Sequence, residues 1–392
     1  MQTLTGLDCL RRDQFRPLHG RSIGLVCNQA TVARDYHHIL DLILAEHHAG
    51  RLHLKAVFGP QHGLFGHTQD NMIEWESGDI PSREFALHSL YGAHREPTPE
   101  MLAGIDVLVI DLQDVGAKYY TFIWTMALCL KACEPLGIEL LILDRPNPID
   151  GTQTEGSITS AEFASFVGLY PLPIRHGMTI GEIAHYLQKN FFPRSKLMVE
   201  RMQGWDRGLY HDETGVPWAL PSPNMPTVDT AVVYPGGCLL EATNLSEGRG
   251  TTRPFEIFGA PFLHGQRFCD ELNALKLHGA WFQAIQFEPT FQKHAKTLCE
   301  GAFLHVVDRK SFEPVLAYVA VLQCARRQAG DGFRWSSPPY EYEFVKMPID
   351  ILAGNTWVRE SIDSLSPLGQ IRERFRAESS AFEPERAHHM LY

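Results

Sequence analysis

A loop rich in hydrogen-bonding side chains, FGPQHGLFGHTQDNM, covers residues 58–72 and directly follows an apolar segment. Within it, Gln61 can hold a water or a hydroxyl group, and His62 can donate to a ligand oxygen or carry a proton near neutral pH. Asp70 adds a carboxylate to the same stretch. A buried structural histidine is the alternative interpretation of His62. The composition of this loop predicts one wall of a binding site for a polar small molecule.

Acidic residues at predicted strand ends and in loops could serve hydrolysis of a sugar bond, which commonly requires a general acid and a second carboxylate or an activated water. They are Asp70, Glu74, Asp111, Asp114, Glu155, Glu241 and Glu247. Asp114 follows an apolar strand, so it either faces a ligand at the sheet edge or caps the next turn. Glu247 lies two residues before Arg249, where a catalytic role and a structural ion pair fit the sequence equally well.

Other side chains could bind a ligand through charge, amide or ring contacts. An arginine can clamp a carboxylate with two parallel hydrogen bonds, which makes Arg145 and Arg249 candidates, although each could instead pair with a neighbouring acidic residue. Tyr119 could stack on a sugar ring or belong to the core. The predicted substrate contacts are Asn28, Asp70, Tyr119, Arg145, Asn224, Asn244 and Arg249.

The first half of the chain alternates strand-like and helix-like segments, which is typical of a doubly wound parallel sheet with helices on both faces. Strands are predicted at 21–29, 52–59, 106–116, 138–148 and 196–205, and helices at 36–48, 98–105, 121–137 and 179–192. Ligands bind outside the carboxyl ends of the strands in such sheets. Because Asn28, the loop after residue 59, Asp111 and Arg145 all follow predicted strand ends, we expect them to border one crevice.

The second half of the chain has a different composition. Residues 217–261 are dense in Pro, Gly, Ser, Thr and Asn and show little amphipathic periodicity. Loops of this length in compact proteins are usually functional or disordered, and the apolar content argues against disorder. Helices at 268–275 and 315–328 and a strand at 303–308 are predicted to follow. We therefore predict a Rossmann-like α/β domain over 1–215 and a smaller α/β domain over 216–392.

Several classes of function are disfavoured by the composition and by the motifs. The net charge of −11 argues against nucleic acid or an anionic membrane as a partner. No apolar run approaches ~18 residues, and the first residues lack a signal-peptide pattern, which predicts a cytoplasmic protein. Neither GxGxxG, a P-loop, CxxC nor HExxH occurs, so we predict no cofactor and no metal site. The oligomeric state stays open.

Ordered motifs along almost the whole chain resemble the NamZ family of exo-β-N-acetylmuramidases, long known as a domain of unknown function. They are NQATV, FGPQHGLFG, LDRPNPIDG, HGMTIGE, PSPNMPT, EATNLSEGRGTTRPFEIFGAP, PPYEYE and PIDILAG. The resemblance implies a Rossmann-like domain, a smaller second domain and an active site in the cleft between them. It also implies removal of N-acetylmuramic acid from the non-reducing ends of peptidoglycan fragments. An arginine would then bind the lactyl carboxylate of that sugar, with Arg249 as first choice and Arg145 as second.

One position departs from the family pattern. The motif commonly reads Pro-Glu-His-Gly in this family, with its glutamate as the favoured general acid, whereas this chain has Gln61 there. A carboxamide cannot release a proton at neutral pH. We predict a catalytic neighbourhood of Gln61, His62, Asp114 and Glu247, in which Gln61 positions substrate or water. Two alternatives stay open, namely a sugar-binding relative that has lost its acid, and a hydrolase of another glycoside that uses Asp70 or Glu74.

Overall fold

The computed structural model describes residues 2–66, 68–69, 72–75 and 84–392 of the chain. The strands are β1 (Ser22–Val26), β2 (His53–Gly59), β3 (Ala86–Ser89), β4 (Val107–Ile110), β5 (Glu139–Leu143), β6 (Glu155–Ile158), β7 (Pro173–Arg175), β8 (Lys196–Glu200), β9 (Ile257–Ala260), β10 (Ala280–Phe287) and β11 (Cys299–Val306). The helices are α1 (Gly6–Arg12), α2 (Ile39–His48), α3 (Phe122–Cys133), α4 (Ile180–Phe191), α5 (His211–Thr214), α6 (Val228–Gly237), α7 (Gly265–Ala274), α8 (Pro314–Ala329), α9 (Pro348–Ala353), α10 (Trp357–Asp363) and α11 (Leu368–Ala387). None of the helices in those ranges is long and apolar enough to cross a bilayer.

A six-stranded parallel sheet forms the centre of the first half, in the order β3-β2-β1-β4-β5-β8. The order reverses between β1 and β4, which is the switch point where doubly wound sheets bind their ligands. Strand β4 is buried along its whole length, as expected for a strand covered on both faces. The predicted α/β fold with a doubly wound sheet is confirmed.

The parallel sheet brings its strand ends to one edge, and the polar side chains follow those ends. Asn28 comes after β1, Gln61 and His62 come after β2, Asp111 directly follows β4, and Arg145 follows β5. Helix α4 opens with a capping box in which Thr179 and Glu182 satisfy each other's backbone N–H groups. These local signals explain why the sequence predicts the sheet well.

A smaller α/β region follows the parallel sheet, as predicted. Its sheet is antiparallel and has the order β10-β11-β9, with α7 packed against it and Tyr318 of α8 in contact with Phe258 of β9. A separate two-stranded sheet joins β6 and β7, and the C-terminal helix α11 packs back against β6. The last helix of the chain therefore contacts the first half of the fold.

The predicted loop over 217–261 contains regular structure, which corrects that interpretation. Helix α6, a 3-10 segment at Cys238–Ala242 and strand β9 all fall within it. The α6 residues are buried around nearly the whole helix, so the segment lacks the polar face on which amphipathic periodicity depends. Pro235 and the two glycines after it have low helix propensity, so they also argue against a helix at the sequence level.

The helix predicted at 98–105 is also corrected, because the structure has only turns there. The Thr98 hydroxyl accepts a hydrogen bond from the Met101 N–H at 3.4 Å, and its carbonyl accepts from the Leu102 N–H at 3.2 Å. Gly104 then adopts a positive φ of 72°. The Thr98 contact starts a helical turn as a cap would, but the segment is too short to propagate it.

Close packing of α6 on α8 predicts a large cost for a methyl group at Gly236. A Cβ atom there would lie 2.1 Å from the Pro314 carbonyl oxygen and 2.5 Å from Tyr318 Cδ2. We expect Gly236→Ala to lower the free energy of unfolding by about 1–3 kcal/mol or more, as overpacking does. Urea denaturation measures this change. The matched control is Gly369→Ala in α11, where no atom lies within 4 Å of the added Cβ. Alanine there should leave the free energy of unfolding equal or higher. Equal losses of stability in both variants would contradict the packing argument.

Candidate active site

A pocket of about 460 Å³, measured to its open mouth, lies at the carboxyl edge of the parallel sheet. That figure includes open solvent, and only about 30 Å³ of it admits the centre of a water molecule, so the pocket is narrow in this structure. The first half of the chain contributes the loop after β2 and the segment before α3, and the second half contributes the other wall. The lining residues used below are Gln61, His62, Tyr119, Tyr120, Thr121, Asn224, Glu241, Arg249, Tyr340 and Glu341.

A hydrogen-bonded pair of side chains, Gln61 and Glu341, stands in this pocket. The Gln61 amide nitrogen donates to Glu341 Oε1 at 3.3 Å, and the Thr121 hydroxyl donates to Gln61 Oε1 at 2.6 Å. The Tyr91 hydroxyl donates to the other oxygen of Glu341 at 2.9 Å. A carboxyl group therefore lies one hydrogen bond away from the Gln61 carboxamide.

Burial raises the pKa of Glu341 to about 7, and the charge of nearby Glu241 adds to the rise against the hydrogen bonds from Tyr91 and Gln61. A carboxylic acid that holds its proton near neutral pH is the form that a general acid requires. The backbone of Glu341 has a φ of 43°, and that of Tyr342 has a φ of 66°. Two consecutive residues other than glycine in the left-handed region are costly, and such strain concentrates at functional sites.

The second carboxylate of the pocket, Glu241, comes from the 3-10 segment after α6. Arg249 Nη2 donates to its Oε1 at 2.8 Å, and the Tyr340 hydroxyl donates to its Oε2 at 2.6 Å. Arg249 also pairs with Glu247 at 2.7 Å, and Glu247 pairs with Lys293 at 3.0 Å. The result is a buried network in which charges of both signs alternate.

His62 lines the pocket with a neutral imidazole ring. Its Nδ1 atom lies 2.8 Å from the Thr68 carbonyl oxygen, to which it donates, so Nε2 is left as an acceptor. Burial lowers the pKa of His62 to about 4, outweighing the Thr68 contact, and Arg249 lowers it further. His62 can therefore accept a hydrogen bond from a ligand hydroxyl or a water at Nε2, and its ring is uncharged at neutral pH.

Three further pocket residues present amide or phenol groups. Asn224 donates to the Gln69 carbonyl at 2.7 Å, and the Tyr119 hydroxyl donates to the Pro235 carbonyl. The Tyr120 hydroxyl is buried and has no hydrogen-bond partner of good geometry among the described residues. A buried polar group of this kind is costly unless a ligand or water completes its bonding.

Four predicted site residues lie outside the lining of the pocket and bond to protein groups. Arg145 forms a two-pronged ion pair with Asp111, and both side chains are buried. Asn28 donates to the Pro221 carbonyl at 3.0 Å, and Asn244 donates to the Gly332 carbonyl at 2.8 Å. Glu247 is the carboxylate of the Arg249 and Lys293 pairs. Their roles toward a substrate stay predictions, while the contacts seen hold the pocket walls together.

Asp114 also lies outside the pocket lining, in the turn that follows β4. Its Oδ2 atom accepts from the Gly116 N–H at 2.7 Å and lies 3.2 Å from His176 Nε2. Gly116 has a φ of 81°, and a Cβ there would lie 2.5 Å from Ile149. The turn-capping alternative thus describes what Asp114 does in this structure.

The other predicted acidic residues have distinct surroundings. Asp70 lies outside the described residues. The Glu74 carboxylate accepts from the Tyr342 hydroxyl at 3.1 Å. Glu155 accepts from the N–H groups of Val315 and Leu316 at the start of α8, where it acts as a helix cap.

Sequence reasoning missed Glu341, although the motif PPYEYE that carried the family resemblance contains it. It also missed Tyr91 and Tyr340, which donate to the two carboxylates of the pocket, and Thr121, which donates to Gln61. The local sequence around Glu341, an acidic residue between two tyrosines, does not indicate burial. The place of Glu341 in the pocket becomes visible only from its contacts with Gln61 and Tyr91, which come from the first half of the chain.

Family profiles match both halves of the chain. The N-terminal domain of exo-beta-N-acetylmuramidase NamZ matches residues 23–229, and its C-terminal domain matches residues 232–392. The chain belongs to the NamZ family. The prediction of a glycoside hydrolase of the exo-β-N-acetylmuramidase type is therefore confirmed.

Relatives of the NamZ family agree in sequence and in fold. The chain is 41% identical to the peptidoglycan beta-N-acetylmuramidase NamZ of Bacillus subtilis (strain 168), over 99% of this chain and 91% of that protein. Two solved DUF1343 family proteins of Bacteroides fragilis NCTC 9343 have the same fold. One has a TM-score of 0.88 at 29% identity, and the matched parts are 100% of this chain and 99% of that one. The other has a TM-score of 0.78 at 25% identity, with the same coverage.

Proposed function

We propose that this chain removes N-acetylmuramic acid from the non-reducing ends of peptidoglycan fragments, and that Glu341 takes the general-acid role in place of Gln61. The observation that supports the role is the hydrogen bond from the Gln61 amide to the buried Glu341 carboxyl at 3.3 Å. Because Glu341 bonds to Gln61 and lines the same pocket, a proton on Glu341 is available to a substrate there.

The reaction breaks the bond between the anomeric carbon and the oxygen of the leaving sugar. The Glu341 carboxyl protonates that oxygen as the bond breaks, and a water molecule adds its hydroxyl to the anomeric carbon. The remaining proton of the water restores the protonated carboxyl. Glu241 is the second carboxylate of the pair and faces the positive charge that develops on the sugar ring. Gln61 orients Glu341, while His62 Nε2 accepts a hydrogen bond from the substrate or the water.

The replacement at Gln61 favours one other function, a sugar-binding relative without hydrolytic activity. The Gln61→Glu variant separates the two. We expect the parent to release N-acetylmuramic acid from 4-nitrophenyl β-N-acetylmuraminide, because its acid lies at Glu341. We expect Gln61→Glu to change kcat by less than about tenfold, since the new carboxyl would share one proton with Glu341. Chromatography with mass detection measures the released sugar.

The control for this variant is Gln370→Glu, since Gln370 is exposed in α11 and does not line the pocket. That variant should match the parent. Release by Gln61→Glu with none by the parent would contradict the proposed acid and support the sugar-binding function. No release by parent or variant, with hydrolysis of an N-acetylglucosaminide instead, would support a hydrolase of another glycoside.

A further inference from the structure

A second pocket of about 960 Å³ opens beside the first, and Glu341 lines both. We call it the Arg95 pocket, after the cation in its wall. Apolar and aromatic side chains form part of its walls, namely Leu128, Ala164, Phe166, Leu169 and Tyr342, and His94, Glu96, Ser165 and Glu343 add polar groups. A general acid must reach the oxygen that joins two parts of a substrate, so it has to stand between the sites that hold those parts.

Arg95 gives this pocket its chemical character. Its guanidinium carbon lies 3.8 Å from the centroid of the Tyr342 ring and 5.9 Å from that of Phe166. Stacking on a ring leaves the N–H edge of the guanidinium available for a planar anion. In the described part of the chain, no carboxylate lies within ion-pair distance of Arg95.

The acidic residues around the pocket already have partners. Glu96 pairs with Lys131 at 2.7 Å, and Glu343 lies 3.7 Å from Lys346. The Glu74 carboxylate accepts a hydrogen bond from the Tyr342 hydroxyl, so it lies at the hydroxyl end of the Tyr342 ring. The arrangement leaves an apolar floor for a sugar ring and one cationic edge for a carboxylate.

We infer that the Arg95 pocket binds the leaving group of the substrate, a second sugar unit, and that Arg95 binds a carboxylate carried on that side of the scissile bond. The inference rests on the proposed function, because it takes Glu341 as the group that divides the two sites. The first pocket then holds only the terminal sugar. Substrate preference beyond that sugar would be set in the Arg95 pocket.

Three substrates that share the terminal N-acetylmuramic acid test the inference. The first has a methyl leaving group, the second has N-acetylglucosamine, and the third has a glucosaminyl-muramyl peptide that carries carboxylates. Ala164→Trp fills the pocket, so we expect kcat/KM to fall at least tenfold for the second and third substrates and less than twofold for the first. We expect Arg95→Ala to lower kcat/KM at least tenfold for the third substrate alone.

The matched control is Arg194→Ala, whose side chain is 83% exposed and far from the pocket; it should leave all three values unchanged. Equal losses on the methyl glycoside in both pocket variants would overturn the inference. Equal losses on the neutral and the carboxylated leaving groups in Arg95→Ala would overturn the carboxylate assignment.

A binding measurement separates this inference from the proposed function. The probe is the glucosaminyl-muramyl peptide itself, followed by calorimetry with the parent, Ala164→Trp and Arg95→Ala. A parent that hydrolyses no substrate would end the proposed function. Weaker peptide binding in both variants, with unchanged binding of free N-acetylmuramic acid, would still support the leaving-group site. Unchanged peptide binding in both variants would overturn it.

Discussion

Glu341→Gln is expected to lower kcat by about 10²–10⁴-fold, the usual contribution of a general acid. The substitution keeps the size of the side chain and one acceptor oxygen for Tyr91 or Gln61, but it removes the proton that the leaving oxygen needs. KM should stay within about threefold, because the terminal sugar keeps its pocket. Steady-state rates on 4-nitrophenyl β-N-acetylmuraminide and on a muraminide with a sugar leaving group measure the effect. The loss should be larger for the sugar, which is the poorer leaving group.

The pH dependence of the parent provides an independent test. Burial raises the pKa of Glu341 to about 7, so the carboxyl is protonated below that pH and loses its proton above it. The rate should therefore fall as pH rises through about 7, and this limb should vanish in Glu341→Gln. Glu373→Gln is the control, since Glu373 is exposed in α11 and lines neither pocket. A Glu341→Gln variant that keeps a tenth of the parent rate on the muraminide with a sugar leaving group would rule out Glu341 as the acid.

The parallel sheet could be predicted because its signals are local. Apolar runs such as the one at β4 form buried strands, and the capping box at Thr179 marks the start of α4 without reference to distant residues. The rule that ligands bind at the carboxyl edge then placed Gln61 and His62 correctly at a pocket. The sequence did not predict helix α6, because a helix buried on all sides shows no amphipathic pattern.

The acid partner could not be predicted in the same way, since it depends on contacts between distant parts of the chain. Gln61 and Glu341 are 280 residues apart and meet only after both halves have folded. Nothing in the spacing of PPYEYE indicates burial, and it is burial that raises the pKa of Glu341. The same limitation applies to Arg95, whose ring partners Phe166 and Tyr342 come from separate loops.

Arg249 was predicted either to bind a substrate carboxylate or to pair with a neighbouring acidic residue. The sequence left open whether it binds a substrate carboxylate or pairs with Glu247, and the structure has the pair and a second one with Glu241. Its Nε atom has no hydrogen-bond partner among the described residues, so one donor remains for a ligand in the pocket. Binding of the lactyl carboxylate by Arg249 therefore stays a prediction. Its guanidinium already balances two buried acids.

Arg249→Met is expected to lower the free energy of unfolding by about 3–5 kcal/mol, the range found when one partner of a buried ion pair is removed. Glu241 and Glu247 are both buried, at 7% and 1% exposure. Glu247 would keep Lys293 at 3.0 Å, and Glu241 would keep the Tyr340 hydroxyl but lose the guanidinium at 2.8 Å. Urea denaturation at pH 7.5 and at pH 5.5 measures the loss. It should be smaller at the lower pH, because a buried carboxylate that has lost a neighbouring positive charge binds a proton more readily.

Arg253→Met controls for the loss of an arginine in the same segment. Arg253 lies 3.3 Å from Glu256, but its side chain is 41% exposed, and exposed pairs contribute about 1 kcal/mol or less. A loss below about 1 kcal/mol for Arg249→Met would mean that the buried acids find other compensation. A large loss that does not depend on pH would point to packing against Phe255, whose ring centroid lies 4.9 Å from the guanidinium. Only a large loss that shrinks on acidification identifies Arg249 as the cation that allows two carboxylates to stay charged beside the catalytic pocket.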